Sequence, residues 1–400
     1  MGAPQRSRDT AGFDGRLRQA ARAPVVSALR LSAFRSLYAR TVPVGAVTVV
    51  TGPSGSGKSS VLAACEALAR LGGGEALEDV FADRAGGHSP YVPQRARPDP
   101  QGRRGFRLGC VVDGPEGTLS FDVAVQAVPE LRVVGERLER PGGGTLLTTA
   151  LRDPSRRVLE ATCQAGGAAR VLRSPFPDDR LTLPLLPLRV AGITEEERLL
   201  LDAAEQVVVA LRSVFACDPD PGLMRRPVAV RDGLLRGDCA NLADVLRRTR
   251  AECSTRHAAL LAALREGCAG PVLQLRAQES AGGLVRGLLE RDATGAATPL
   301  EWLGDGELRF AALALVLLTG PGVLSVDTVH EVPAARQTLT VLADGLDRGL
   351  DGRQTAQLLT LARRMGERGH VRLLATGSAG GPLAREASRA AGVRLVDLGA

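Results

Sequence analysis

Aromatic residues make up only 3% of this 400-residue chain, and lysine is nearly missing: of 51 Lys and Arg residues, Lys58 alone is a lysine. So few aromatics exclude the base-stacking platforms of single-strand nucleic-acid binders. No apolar run reaches the ~18 residues of a membrane-spanning helix, so no membrane partner is expected. Residues 1–24 read as a disordered basic tail. They are polar and Arg-rich, without the apolar stretch of about 7–15 residues that marks a secretory signal, and a cytoplasmic protein is expected. CxxC pairs are absent too. The seven cysteines are scattered and odd in number, which excludes a zinc framework or a disulfide scaffold and leaves buried reduced thiols. His88 and His257 have no spaced Cys or carboxylate partners for a metal.

What remains is ordinary globular composition, 44% hydrophobic and 24% charged, in a chain too long for one minimal domain. The formal charge of +7 permits a DNA partner without requiring one. Residues 25–160 read as the first part of an α/β domain. Val25 to Phe34 and Ala46 to Thr51 are strands, Ser59 to Leu71 is a helix, and Gly86 to Arg104 is a loop. Short alternating segments from Phe106 to Leu159 form an antiparallel β portion. Residues 161–295 read as a mainly helical insertion, with helices over Glu195 to Phe215 and Asn241 to Arg265 and strands over Pro271 to Arg291. Residues 296–400 return to α/β, with helices at Glu307 to Leu318 and Gln354 to Arg368. Strands are expected at Gly322 to Asp327 and His370 to Thr376. The fold class is therefore α/β with a phosphate-binding loop, an antiparallel β portion and a helical insertion.

The segment Gly52-Pro53-Ser54-Gly55-Ser56-Gly57-Lys58-Ser59-Ser60 contains GxxxxGK[ST] in full. It stands where the chemistry needs it, between a buried strand and a helix. Glycines let backbone N–H groups turn inward around phosphates, and the helix N-terminus adds partial positive charge. Lys58 is expected to reach the β- and γ-phosphates of ATP and Ser59 to ligate Mg²⁺. An arginine-biased chain keeps lysine here because a planar guanidinium is too wide for the loop.

Downstream, Leu303-Gly304-Asp305-Gly306-Glu307-Leu308-Arg309-Phe310 precedes a helix. VLSVDTVHEV follows about twenty residues later, an apolar run ending in Asp327. These residues resemble the signature and Walker B segments of the cassette-type ATPases of the RecF, OLD and structural-maintenance-of-chromosomes group. The likeness is strongest to compact bacterial predicted ATPases without a long coiled coil. LRLSAFRS at 29–36 and DCANLADVL at 238–246 resemble further stretches of that group.

The resemblance implies an ABC-ATPase-like mixed sheet. It also implies a head-to-tail homodimer with two ATP molecules sandwiched between phosphate loops and partner signature helices, here Gly304, Asp305 and Gly306. It assigns Mg²⁺ to Ser59, Asp327 and Gln94 and catalysis to Asp327, with Glu331 or His330, beyond the strand end, as a stand-in for the family's base. A role in DNA transactions or phage defence is implied in the same way. Three positions depart from the group. Gly304 replaces the signature serine, Thr328 the carboxylate after the Walker B acid, and Gly377 a switch histidine. Losing a positioned base typically costs about 10²–10⁴-fold, so ATP is expected to be bound well and cleaved slowly. A non-hydrolysing ATP-dependent scaffold and a small-molecule P-loop kinase are the alternatives. Trp302, the sole tryptophan, is expected to anchor the core, and Arg35 to lie on the surface.

Overall fold

The computed structural model describes residues 23–81, 89–164, 170–172, 175–280, 282–291, 297–320, 322–326 and 337–399. The expected tail up to residue 22, and the roles expected of His88, Asp327, Thr328, His330 and Glu331, lie outside the described residues. The described residues form two compact units. One draws on 23–43, 63–213 and 337–338, the other on 44–62, 214–326 and 339–399. Among the described residues no helix is long and apolar enough to cross a membrane.

The first unit is built on a nine-stranded sheet in which every pairing is antiparallel. Its strands are β1 (Val25–Phe34), β2 (Leu37–Pro43), β4 (Arg104–Gly114), β5 (Gly117–Val128) and β6 (Arg132–Arg140), then β7 (Gly144–Ala150), β8 (Val158–Cys163), β9 (Arg170–Val171) and β10 (Phe176–Pro177). The order is β10-β8-β7-β6-β5-β4-β1-β2, with β9 beside β8. Period-two alternation drives one face inward. Leu108, Cys110 and Val112 of β4 stand opposite Val123, Phe121 and Leu119 of β5, and all six are fully buried.

A long helix, Glu195–Arg212, covers the strands with Leu200, Ala203, Ala204, Val207 and Leu211. Thr194 caps it by accepting the Glu197 N–H at 3.2 Å. Gln206 reaches from this helix to the β4–β5 turn, accepting the Glu116 N–H at 2.7 Å and donating to the Gly117 carbonyl at 2.8 Å. The helix stops at Arg212, short of the expected Phe215, and Val214–Ala216 becomes a strand of the other unit. Arg35 is half-buried, with its guanidinium 4.9 Å from the Tyr91 ring centroid. It locks an aromatic cluster rather than facing solvent freely.

Glu136 on β6 is buried. Both its oxygens accept the Thr182 N–H, at 2.9 and 3.0 Å. Burial pushes its carboxyl up from the ordinary 4.5 to about 7, against the lowering effect of those bonds. A folded-state pKa above the unfolded one gives stability that is present below pH 4.5 and lost as the pH rises to about 7. The stability gap between wild type and Glu136→Gln is therefore expected to move by up to about 3 kcal/mol in favour of the variant between pH 4.5 and pH 8. Thermal unfolding across that range checks it; parallel curves would contradict the buried acid.

The second unit centres on a five-stranded sheet, with β3 (Val47–Thr51), β11 (Val214–Ala216), β16 (Leu339–Ala343), β17 (Val371–Thr376) and β18 (Val393–Asp397) in the order β11-β16-β17-β3-β18. All its pairings are parallel. Every residue of β3, β16 and β17 is buried, as strands covered on both faces require. A small antiparallel sheet of β12 (Val228–Ala229), β13 (Gln274–Glu279), β14 (Leu284–Glu290) and β15 (Ala297–Pro299) stands apart. Parallel and antiparallel strands thus segregate, and no sheet of the described residues is mixed.

Two expectations are corrected here. The run from Gly322 contributes only an isolated bridge from Leu324 to Leu235, and only Val323 and Leu324 are buried. The sheet takes Leu339–Ala343 instead, because five consecutive apolar or Thr residues can be covered on both faces. The helix expected over Asn241 to Arg265 is two helices, Leu242–Glu252 and Ser254–Gly267, separated by non-helical backbone at Cys253.

Candidate functional site

The segment expected to bind phosphate leaves the carboxyl end of β3 and enters helix α1 (Lys58–Gly72). Gly52, Gly55 and Gly57 hold φ angles of 151°, 81° and 97°. At Gly52 a Cβ would also meet Ser56 Oγ at 2.5 Å, so no other residue fits. The Gly57 carbonyl accepts the Ser60 and Val61 N–H groups and starts the helix. Lys58 Nζ donates to the carbonyls of Gly52 at 2.9 Å and Pro53 at 2.7 Å, folded over the loop it closes. Pro53, Ser54 and Gly55 are exposed, and Ser60 is buried at the base.

The acid beside this loop is Asp344, which follows β16. Register explains why. Parallel pairing sets Ala343 beside Ala375 and Thr376 beside Val50, so β16, β17 and β3 end at one edge. Open parallel sheets bind ligands at that edge. Ser59 Oγ donates to Asp344 Oδ2 at 2.9 Å. Thr376 Oγ1 donates to the other carboxylate oxygen and accepts the Gly345 N–H at 2.8 Å. A serine hydroxyl and a carboxylate are the hard oxygen donors that suit Mg²⁺, which keeps waters and takes phosphate oxygens besides. The donor set fits the ion.

The sequence reading did not single out Asp344; Asp327, the acid it named, lies outside the described residues. TLTVLAD ends an apolar run in an aspartate just as GVLSVD does, and the segment nearer the signature helix drew the assignment. Asp344 is followed by Gly345 and Thr376 by Gly377, so neither position beside the acid carries a carboxylate or an imidazole. The last strand adds a support that sequence did not suggest. Leu398 N–H donates to the Thr51 carbonyl at 2.9 Å, and Gly399 lies so near Pro53 that a Cβ there would come within 2.8 Å of the ring.

The signature segment opens the helix Asp305–Leu317, with Gly304 at its N-cap and no side chain capping it. Arg225 holds the entry, donating to the Leu303 carbonyl at 2.8 Å and to Asp305 at 2.6 Å. Gly306 is required by a close approach: a Cβ would stand 2.3 Å from the Gly349 carbonyl oxygen, in the segment that follows Asp344. Trp302 does not anchor the core. It is 78% exposed beside Gly304. Gln94 is an exposed turn residue of the other unit.

Solved structures similar to this chain include an Smc head bound to the C-terminal winged-helix domain of ScpA, at 12% identity and a TM-score of 0.48, covering 90% of this chain and 91% of that one. An Smc head with an extended coiled coil bound to the C-terminal domain of ScpA, derived from Pyrococcus furiosus, has 12% identity and a TM-score of 0.47, with 91% and 92% covered. The SMC head domain from Thermotoga maritima has 12% identity and a TM-score of 0.41, with 90% and 92% covered. No protein-family model and no curated protein matches the sequence. Likenesses this remote carry no argument.

Proposed function

We propose that this chain is a Mg-ATP-dependent switch that pairs head-to-tail with a second copy of itself and cleaves ATP slowly. The observation that carries the reading is the Ser59–Asp344 hydrogen bond at the mouth of the phosphate loop. Backbone N–H groups of Ser54, Gly55, Gly57, Lys58 and Ser59 wrap the phosphates, and Lys58 exchanges its two carbonyl partners for β- and γ-phosphate oxygens. Ser59 and Asp344 hold Mg²⁺, which when bound neutralises phosphate charge. The uncapped amides at Gly304, Asp305 and Gly306 suit the γ-phosphate held by the partner copy.

Slow cleavage follows from what stands beside the acid. Gly345 and Gly377 offer no group that accepts a proton from water, and Thr376 is already committed to Asp344 and Gly345. A non-hydrolysing scaffold is the second reading, and those two glycines favour it. Light scattering with and without Mg-ATP tests the pairing: the mass is expected to double with ATP and return on its removal. Phosphate release is expected below the common range of about 1–10³ s⁻¹. A monomer at saturating Mg-ATP, or turnover inside that range, would overturn the proposal.

A further inference from the structure

The outward face of the nine-stranded sheet carries an open cleft of about 340 Å³, within the size of small-molecule sites. Its shape has a local cause. Three successive strand pairs slip register near it: β1 with β4 between Arg30 and Ala33, β4 with β5 between Arg104 and Gly105, and β5 with β6 between Ala124 and Val125. Bulges bend strands and re-aim side chains, and here three of them cup one patch of sheet. Gly105 is forced by the closeness of the strands, since a Cβ would lie 2.0 Å from the Val125 carbonyl oxygen. Ala33 and Ala124, the cross-strand neighbours of Arg107, leave the floor low and apolar.

The rim is charged and unevenly paired. Arg103 is committed to Asp99, with Nε 2.7 Å from the carboxylate and its own N–H 2.9 Å from the other oxygen. Asp122, the nearest carboxylate along β5, is taken by Arg30 at 3.0 Å. Arg104 and Arg107 both line the cleft; neither side chain makes a hydrogen bond or ion pair among the described residues, and Arg107 acts on Asp122 only through its charge at longer range. Two unspent guanidiniums over an apolar floor recognise a doubly charged oxyanion attached to a flat, weakly polar body. Guanidinium geometry favours phosphate, which it grips with paired N–H groups. The volume holds one nucleotide-sized group.

We infer that this cleft binds a phosphomonoester of mononucleotide size, separately from the triphosphate loop. The ligand is either a free mononucleotide or the 5′-phosphorylated terminal residue of a strand. The test is calorimetry with AMP on full-length Lys58→Ala protein and on wild type saturated with Mg-ATP, so that the loop contributes nothing. AMP is expected to bind both, and adenosine at least tenfold more weakly. R104A/R107A should weaken AMP at least tenfold with an unchanged melting temperature and unchanged Mg-ATP binding at the loop; R104K/R107K should retain part of the affinity. A 5′-phosphorylated trinucleotide that binds better than AMP, and loses that affinity with a 5′-hydroxyl, assigns the strand end; the reverse order assigns the free nucleotide. The inference is overturned if neither AMP nor the phosphorylated trinucleotide binds at millimolar concentration, if adenosine binds as well as AMP, or if R104A/R107A leaves both affinities intact.

Discussion

Lys58→Ala is expected to weaken Mg-ATP binding by roughly two to four orders of magnitude while leaving the melting temperature within a degree or two. Among the described residues the lysine's ammonium has no carboxylate partner. It rests on two carbonyl oxygens of its own loop, Gly52 and Pro53, and exposed Pro53 can be satisfied by solvent once it is gone. Its loss therefore costs the fold little. Its loss to the nucleotide is large, because two hydrogen bonds to charged phosphate oxygens each contribute about 1.5–3 kcal/mol, and about 1.4 kcal/mol is a factor of ten. Lys58→Arg should fail nearly as badly. The loop's φ angles of 151°, 81° and 97° fix a ring sized for an ammonium on a slim stem, and a guanidinium is broader. Isothermal calorimetry measures both. An affinity within threefold of wild type for the alanine variant would remove the basis for reading this loop as a triphosphate site.

The loop was legible from sequence because everything that makes it is local. Nine consecutive residues set the turn, the ammonium and the start of the helix, and no distant contact is needed to recognise them. The antiparallel portion was legible as a set of strands for a similar reason, since alternation such as Leu108, Cys110 and Val112 is written along each strand. Its order was not. That β1 lies between β2 and β4, and that β18 from the end of the chain flanks β3, are statements about pairing between distant segments, and a strand's own residues do not name its neighbours. The choice between Asp327 and Asp344 has the same origin. Two apolar runs end in aspartate, and only pairing with β17 distinguishes Leu339–Ala343 from the run at 322. Trp302 fails differently. A large aromatic is usually covered, but Pro299 to Trp302 forms a short 3₁₀ turn whose Leu300 is buried and whose tryptophan faces out.

The two candidate acids make opposite predictions, and the difference is measurable. Asp344→Asn keeps the shape and can still bond Ser59 and Thr376, but it takes away the charge beside the Ser59 hydroxyl. The Mg²⁺ concentration needed for half-maximal ATP binding is expected to rise about 10–100-fold, the usual range for losing a residue that positions a metal's ligands, while ATP binding without Mg²⁺ stays level or tightens. Tightening is expected because the lost carboxylate repels a naked triphosphate as well as attracting its counter-ion. Asp327→Asn, by contrast, should leave the Mg²⁺ requirement unchanged. Ser59 is the internal check: its hydroxyl donates to Asp344 at 2.9 Å, so Ser59→Ala should raise the requirement in the same direction, and the double variant should fall short of the product of the two. Should Asp327→Asn raise the Mg²⁺ requirement and Asp344→Asn leave it alone, the edge formed by β3, β16 and β17 would not be where the metal is held, and the Ser59–Asp344 bond would be structural only.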